Sequence, residues 1–301
     1  MSKIPRMANL GLLATSLLMA AMVSMGLSCS PAPKDSGTAA AAGQGTYKGV
    51  TNHMGIETPP DPRESAFMAA VGVLPTEQAL ATSAAFMADK ERFFTLLAEV
   101  ESESARAGGL LHLVDKTRGL AADYEPPDLV SLNDYQLQLS RNDLRLRKCI
   151  MGAVLAMDQA ARADGITLIF SSAYRSYAHQ AGLFSRYASL HGEVQANRFS
   201  ARPGHSQHQL GTAIDFGSID DTFAGTAAGK WMASNAWRFG FSLSYPPDLE
   251  ELTGYIWESW HFRYITIAGA HIEREYFGGI QQYFLEFLSE YRRIFTATPT
   301  S

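Results

Sequence analysis

Apolar residues recur at helical spacing between residues 76 and 107, where Phe86, Phe93, Phe94, Leu96, Leu97 and Val100 mark one face and Gly108-Gly109 stops the pattern. The stretch after it reads as extended and loop-like, because Pro126-Pro127 excludes helix. Residues 144–163 predict a second helix that ends near Gly165, and "ITLIFSSAY" a short core strand. A third helix is expected over 177–191, and a strand beginning over 213–216. A further helix over 230–239 is closed by Gly240. "YIWESWHFRYI" is aromatic and β-branched and reads as a strand. The last amphipathic stretch is a C-terminal helix interrupted at Gly278-Gly279. Helices and strands mix without βαβ regularity, so the predicted class is α+β, a small mixed or antiparallel sheet flanked by helices.

The N-terminal pattern differs. Lys3 and Arg6 precede "NLGLLATSLLMAAMVSMGL", an uncharged apolar run, and "SCS" follows it. That layout is an export signal, and Cys29 sits where a bacterial lipoprotein carries its acylated cysteine. The expectation is therefore a signal or lipoprotein segment over 1–29 and a protein exported to the periplasm or cell envelope, anchored in the membrane by lipid on Cys29. Residues 30–75, rich in small residues over their first half, are expected to form a flexible tether. A helical segment over 76–110 and a catalytic domain over 111–298 complete the expected organisation. The net charge of −5 with no Lys/Arg-rich run gives nucleic-acid binding no electrostatic footprint. With Cys29 lipidated, Cys149 has no intrachain partner, and it is expected as a buried small hydrophobe in the 144–163 helix.

Candidate chemistry concentrates in "PGHSQHQLGTAID", where His208 and Asp215 are seven residues apart with Gly211 between them. Imidazole nitrogen and carboxylate oxygen are zinc donors, but a catalytic zinc needs a third protein ligand and an open position. Among the eight histidines, only His261 lies in a strand-like segment beside another candidate catalytic group, Glu258 of "ESWH". His-x6-Asp alone is a weak signal, since loops carrying both residues are common.

The ordered set "SAYRS", "PGHSQHQLGTAID" and "ESWHFRY" is stronger. It resembles the zinc D-alanyl-D-alanine carboxypeptidases of the VanY-like family, in the Hedgehog/DD-peptidase superfamily, through Ser206, His208, Asp215, Glu258 and His261. The resemblance implies one Zn2+ bound by His208, Asp215 and His261, with Glu258 as general base. It implies that Arg175 binds the terminal carboxylate of a peptidoglycan stem peptide, with Gln180 and Ser206 as further hydrogen-bonding contacts. Gln209 fills the family's glutamine position beside the metal, and His205 is expected at the rim. The implied activity is removal of a C-terminal D-alanine. The alternatives are an L,D-carboxypeptidase, an endopeptidase on the same substrate class, or a wall-binding lipoprotein without catalysis. Glu258 and His261, three apart, would face opposite sides of a plain strand, so a turn or bulge near Ser259 is required if both serve one site. Ser259 stands where the family commonly has proline, and Ser244 where it often has arginine.

Overall fold

The computed structural model describes residues 61–297. Seven strands run in chain order: β1 Leu129–Ser131, β2 Gln138–Leu139, β3 Arg145–Arg147, β4 Ile169–Ser172, β5 Ala213–Phe216, β6 Phe241–Leu243 and β7 His261–Tyr264. The helices are α1 Pro62–Ala70, α2 Thr76–Ala88, α3 Lys90–Arg106, α4 Met151–Ala163, α5 Tyr177–His191, α6 Glu193–Phe199, α7 Ala227–Asn235, α8 Glu250–Thr253, α9 Ile267–Tyr276 and α10 Gln281–Ala297. Strands β1 and β3 form a small antiparallel pair. The main sheet has the order β2-β4-β5-β7-β6, with only β2–β4 parallel. The class is the mixed α+β expected from the patterning.

The central register places function and core on opposite faces. Asp215 lies opposite His261 across β5–β7, and Ser172 opposite Asp215 across β4–β5, so three neighbouring strands set one row of polar residues side by side. The alternate positions Ile214, Phe216 and Phe262 join the hydrophobic core, as period-2 alternation requires.

The N-terminal helices belong to that same core. Asp61 caps α1 by accepting from the Arg63 amide at 2.8 Å, and Asp89 caps α3 by accepting from the Arg92 amide at 3.0 Å. The face read from the sequence, Phe93, Phe94, Leu96, Leu97 and Val100, is buried. The Phe67 and Phe86 rings stack at 3.7 Å, and Phe93 meets Tyr276 edge-on at 5.0 Å, while α1 lies against α10 and α3 against α9. Aromatic rings at these spacings add to the area they remove from water. One continuous hydrophobic cluster runs from Phe67 through Ile214 to Tyr291, so the helical segment shares one core with the sheet.

Several boundaries differ from the sequence reading. The expected tether over 30–75 includes α1, so ordered chain begins by residue 61; residues 30–60 and the 1–29 signal with Cys29 lie outside the described residues. The 144–163 helix starts only at Met151, because Arg145–Arg147 pair with β1 and a single 3-10 turn follows. Cys149 falls in that turn and is exposed, contrary to the expected burial: the turn rotates it off the helix face that packs inward. The "YIWESWHFRYI" strand is reduced to its second half, His261–Tyr264. Among the described residues, no helix is long and apolar enough to cross a membrane.

Candidate metal centre and its cleft

The stretch between α6 and β5 is folded by two local devices. Ser206 caps a short 3-10 turn over Gln207–Leu210 by accepting from the His208 amide at 3.3 Å, and Gly211 leaves the turn at φ +69°. A Cβ on Gly211 would sit 3.0 Å from Arg147 Cγ and from Leu129 Cδ2, so both backbone conformation and space demand glycine there. The turn delivers His208, and β5 then delivers Asp215. At the other end of the site, the His261 amide donates to the Glu258 carbonyl at 3.2 Å, a tight turn through Ser259 and Trp260. This is the break the Glu258/His261 spacing required, and it brings both side chains to one side.

His208, Asp215 and His261 converge with their ligand atoms all within 4.8 Å of one another, and all three residues are buried. His208 Nε2 is 3.2 Å from Asp215 Oδ2, and His261 Nδ1 is 2.9 Å from Asp215 Oδ1 and 3.7 Å from Glu258 Oε2. His208 Nδ1 lies 2.7 Å from the Ala173 carbonyl and His261 Nε2 lies 3.2 Å from Gln207 Oε1. Burial presses the His208 imidazole down to about 4, so it is neutral at physiological pH. Burial raises the Asp215 carboxyl, but the flanking His208 and His261 outweigh it and hold the group well below the ordinary carboxylate range. A neutral imidazole and an ionised carboxylate are the protonation states a metal demands. Two imidazoles and one carboxylate, buried and converging, fit a tetrahedral zinc with one position left open.

Glu258 behaves differently from Asp215. Burial, then the nearby Asp215 charge, raise its carboxyl well above the usual range, and Arg175 and Lys116 oppose that only in part. Two carboxyl groups pushed apart by their surroundings are characteristic of a site that divides binding and proton transfer between them.

The metal cluster opens into a cleft of about 280 Å³ lined by Arg175, Ser206, Tyr245, Glu258 and Trp260 among others, and a second cavity of about 440 Å³ adjoins it across Arg175 and Asp215. Arg175 donates through Nη1 to Gln180 Oε1 at 2.8 Å and through Nη2 to Ser172 Oγ at 3.0 Å, and Nη2 is 3.9 Å from Asp215 Oδ2. The guanidinium is thus fixed at the edge of the metal cluster. Gln180, expected as a substrate contact, is 1% exposed and donates its amide to Ser200 Oγ and the Ala201 carbonyl, so it orients Arg175 instead. Ser206 does line the cleft.

One other expectation changes. Gln209 sits away from the metal cluster: its amide donates to the Ala121 and Tyr124 carbonyls at 3.0 and 3.1 Å and ties down the 121–124 loop. Gln207, two residues earlier, takes the place beside His261, because the 3-10 turn advances each residue by about a third of a turn and sends the two glutamines in different directions. Its position between Ser206 and His208 is the one sequence signal that pointed there. Tyr245 was also missed: its ring lies 4.9 Å from the His261 ring, and its carbonyl accepts from the Glu258 amide at 3.0 Å. His205 stays off the site, with Nδ1 2.8 Å from the Asp115 carbonyl.

A cleft of mixed polar and apolar lining, a converging His/Asp/His set and an adjacent raised carboxyl define a metal-dependent hydrolase. Comparison with known proteins gives the class its family. Residues 143–267 match the VanY family, described as D-alanyl-D-alanine carboxypeptidase. The Bacillus subtilis protein YodJ is 35% identical over 182 residues, covering 58% of this chain and 67% of that protein. A D-alanyl-D-alanine carboxypeptidase of Enterococcus faecalis is 32% identical over 169 residues, covering 53% of this chain and 60% of that enzyme. Among solved structures, the LdcB LD-carboxypeptidase is 34% identical with a TM-score of 0.51, covering 56% of this chain and 85% of that one. The chain belongs to the VanY family of D-alanyl-D-alanine carboxypeptidases, within a superfamily of zinc-dependent peptidases.

Proposed function

We propose that the protein is a zinc carboxypeptidase that removes the C-terminal D-alanine from peptidoglycan stem peptides, and that it works in the cell envelope on a lipid anchor at Cys29. The observation that carries this reading is Arg175 held 3.9 Å from the metal-cluster carboxylate, with Glu258 Oε2 on the other side, 3.7 Å from His261 Nδ1. A guanidinium at that distance binds a carboxylate one residue's length from the reacting carbonyl, about 3.3–3.6 Å per extended residue. A cation so near the metal-binding residues supports removal of the last residue of a peptide.

His208, Asp215 and His261 would hold the zinc. Bound there, it supplies Lewis acidity toward the scissile carbonyl and a water whose pKa is lowered to about 7. The chain's own groups do the rest. Glu258 accepts a proton at its carboxylate and returns it to the leaving amine. Arg175, steered by Gln180 and Ser172, binds the terminal carboxylate. Tyr245 and Trp260 wall the cleft and restrict water to the reacting side.

The likeness to an LD-carboxypeptidase supports a second reading, in which the same residues cut the L,D bond of a tetrapeptide. Synthetic muramyl pentapeptide and tetrapeptide, each incubated with and without a chelator and read by mass spectrometry, separate the two. Loss of D-alanine from the pentapeptide alone, abolished by chelator and restored by zinc, is the expected result. Cleavage that survives complete metal removal overturns the mechanism. Independently, mass spectrometry of protein isolated from cells should show an acylated Cys29 as the first residue.

A further inference from the structure

The two histidines of the metal centre face it through different nitrogens, and the hydrogen bonds behind them explain how. His208 is simple: Nδ1 is 2.7 Å from the Ala173 carbonyl, an acceptor only, so Nδ1 carries the proton and Nε2 is free toward Asp215. His261 is reversed. Its Nδ1 faces Asp215 and Glu258, and its Nε2 faces an amide side chain, Gln207, which offers either an acceptor or a donor according to its orientation.

We infer that a relay of two buried glutamines, Gln207 and Gln281, fixes the His261 tautomer and so presents Nδ1 as the metal-binding nitrogen. The inference rests on the zinc reading above. The relay begins at the Ser242 carbonyl, which cannot donate. Gln281 must therefore turn its amide nitrogen to it, at 3.3 Å. That leaves Gln281 Oε1 to accept from Gln207 Nε2, also at 3.3 Å. Gln207 Oε1 is then the atom left for His261 Nε2, at 3.2 Å, and Ser244 Oγ donates to the same oxygen at 2.7 Å. Reversing either amide would set donor against donor or acceptor against acceptor in a site where Gln207 and Gln281 are 3% and 2% exposed. A reversed Gln207 would also force the proton onto His261 Nδ1, where the metal must bind. Gln281 is the first residue of α10, so the C-terminal helix reaches into the metal centre through this one side chain.

Gln207 and Gln281 are positioning residues, and zinc affinity reads their effect. Gln207→Met keeps the side-chain length and removes the acceptor; it should weaken zinc binding about 10–100-fold, the usual cost of losing an outer hydrogen bond to a ligand. Gln207→Glu restores the acceptor toward His261 but sets an oxygen against Gln281 Oε1, and should recover only part of the zinc affinity that Gln207→Met loses. Gln281→Met frees Gln207 to reverse and should fall between them. Affinity is measured by competition with a chromophoric chelator on the full chain, alongside the thermal midpoint of the zinc-free proteins. Because these variants could fail to fold, a second measurement uses the unaltered zinc-loaded protein: the Nε2 proton of His261, buried against Gln207 Oε1, should exchange slowly with solvent. Equal zinc affinity for wild type and Gln207→Met, equal losses for Gln207→Met and Gln207→Glu, or a His261 Nε2 proton that exchanges as fast as an exposed imidazole's overturns the relay. Wild-type protein that binds no stoichiometric zinc overturns the metal reading itself, and the two failures are told apart by which protein shows them.

Discussion

At the residue scale, Asp215, Glu258 and Arg175 stand side by side at one site and do different work, and their partners decide which. Asp215 is flanked by two imidazoles and stays ionised; Glu258 is buried beside Asp215 and is raised. Glu258→Gln should therefore keep zinc and lose turnover by on the order of 10²–10⁴-fold, the range for a positioned general base; stoichiometric zinc in the inactive variant checks that the metal site survived. Arg175 makes a sharper prediction. Arg175→Ala should lose most kcat/KM on a peptide with a free C-terminal carboxylate. A C-terminally amidated peptide should be a poor substrate for wild type and no worse for the variant. A loss of the same size on both peptides would assign Arg175 to scaffolding, through Ser172 and Gln180.

At the element scale, the site depends on short pieces held by longer ones. Strands of four residues carry Asp215 and His261, and such strands are stable only with a packed face behind them. That face is shared with the N-terminal helices through Phe67, Phe86 and Phe93, each with no measurable exposure. Phe93→Ala should cost about 3–5 kcal/mol by denaturant titration and should lower the unfolding midpoint of the whole unit in a single transition. Two transitions would mean that the helices fold apart from the sheet.

At the scale of the whole molecule, bound zinc and buried charge both set stability. Zinc at 100 times its Kd should stabilise the fold by about 2.7 kcal/mol, seen as a drop in thermal midpoint on adding chelator. Glu273 acts elsewhere. Burial pushes its carboxyl up to about 7, only partly offset by the Ser242 hydroxyl, which donates to it at 2.6 Å. Its folded value lies above its unfolded one, so its contribution is intact below pH ~4.5 and is lost as pH rises to about 7, a change on the order of 3 kcal/mol. Glu273→Gln, which keeps the acceptor for Ser242, should raise the thermal midpoint at pH 8 and leave it nearly unchanged at pH 4.5.

What was legible in the chain is what short-range physics writes there. The helix over 177–191 begins where Ser176 accepts from the His179 amide, and the 213–216 strand and the Gly240 stop coincide with the structure because cap, period and positive-φ glycine act over a few residues. The ordered motifs carried the metal-centre candidates for the same reason: each motif is a local turn or strand end. Neither the period nor the motifs could reveal which groups stand behind those residues. Gln207 and Gln209 are chemically identical and two positions apart, and the 3-10 turn sends one to His261 and the other to a distant loop. Gln281 lies 74 residues beyond its partner Gln207. The burial of α1 likewise required α10 as a partner, from the opposite end of the chain. Such assignments come from contacts between segments far apart in sequence, whose energies exist only once the chain has closed on itself.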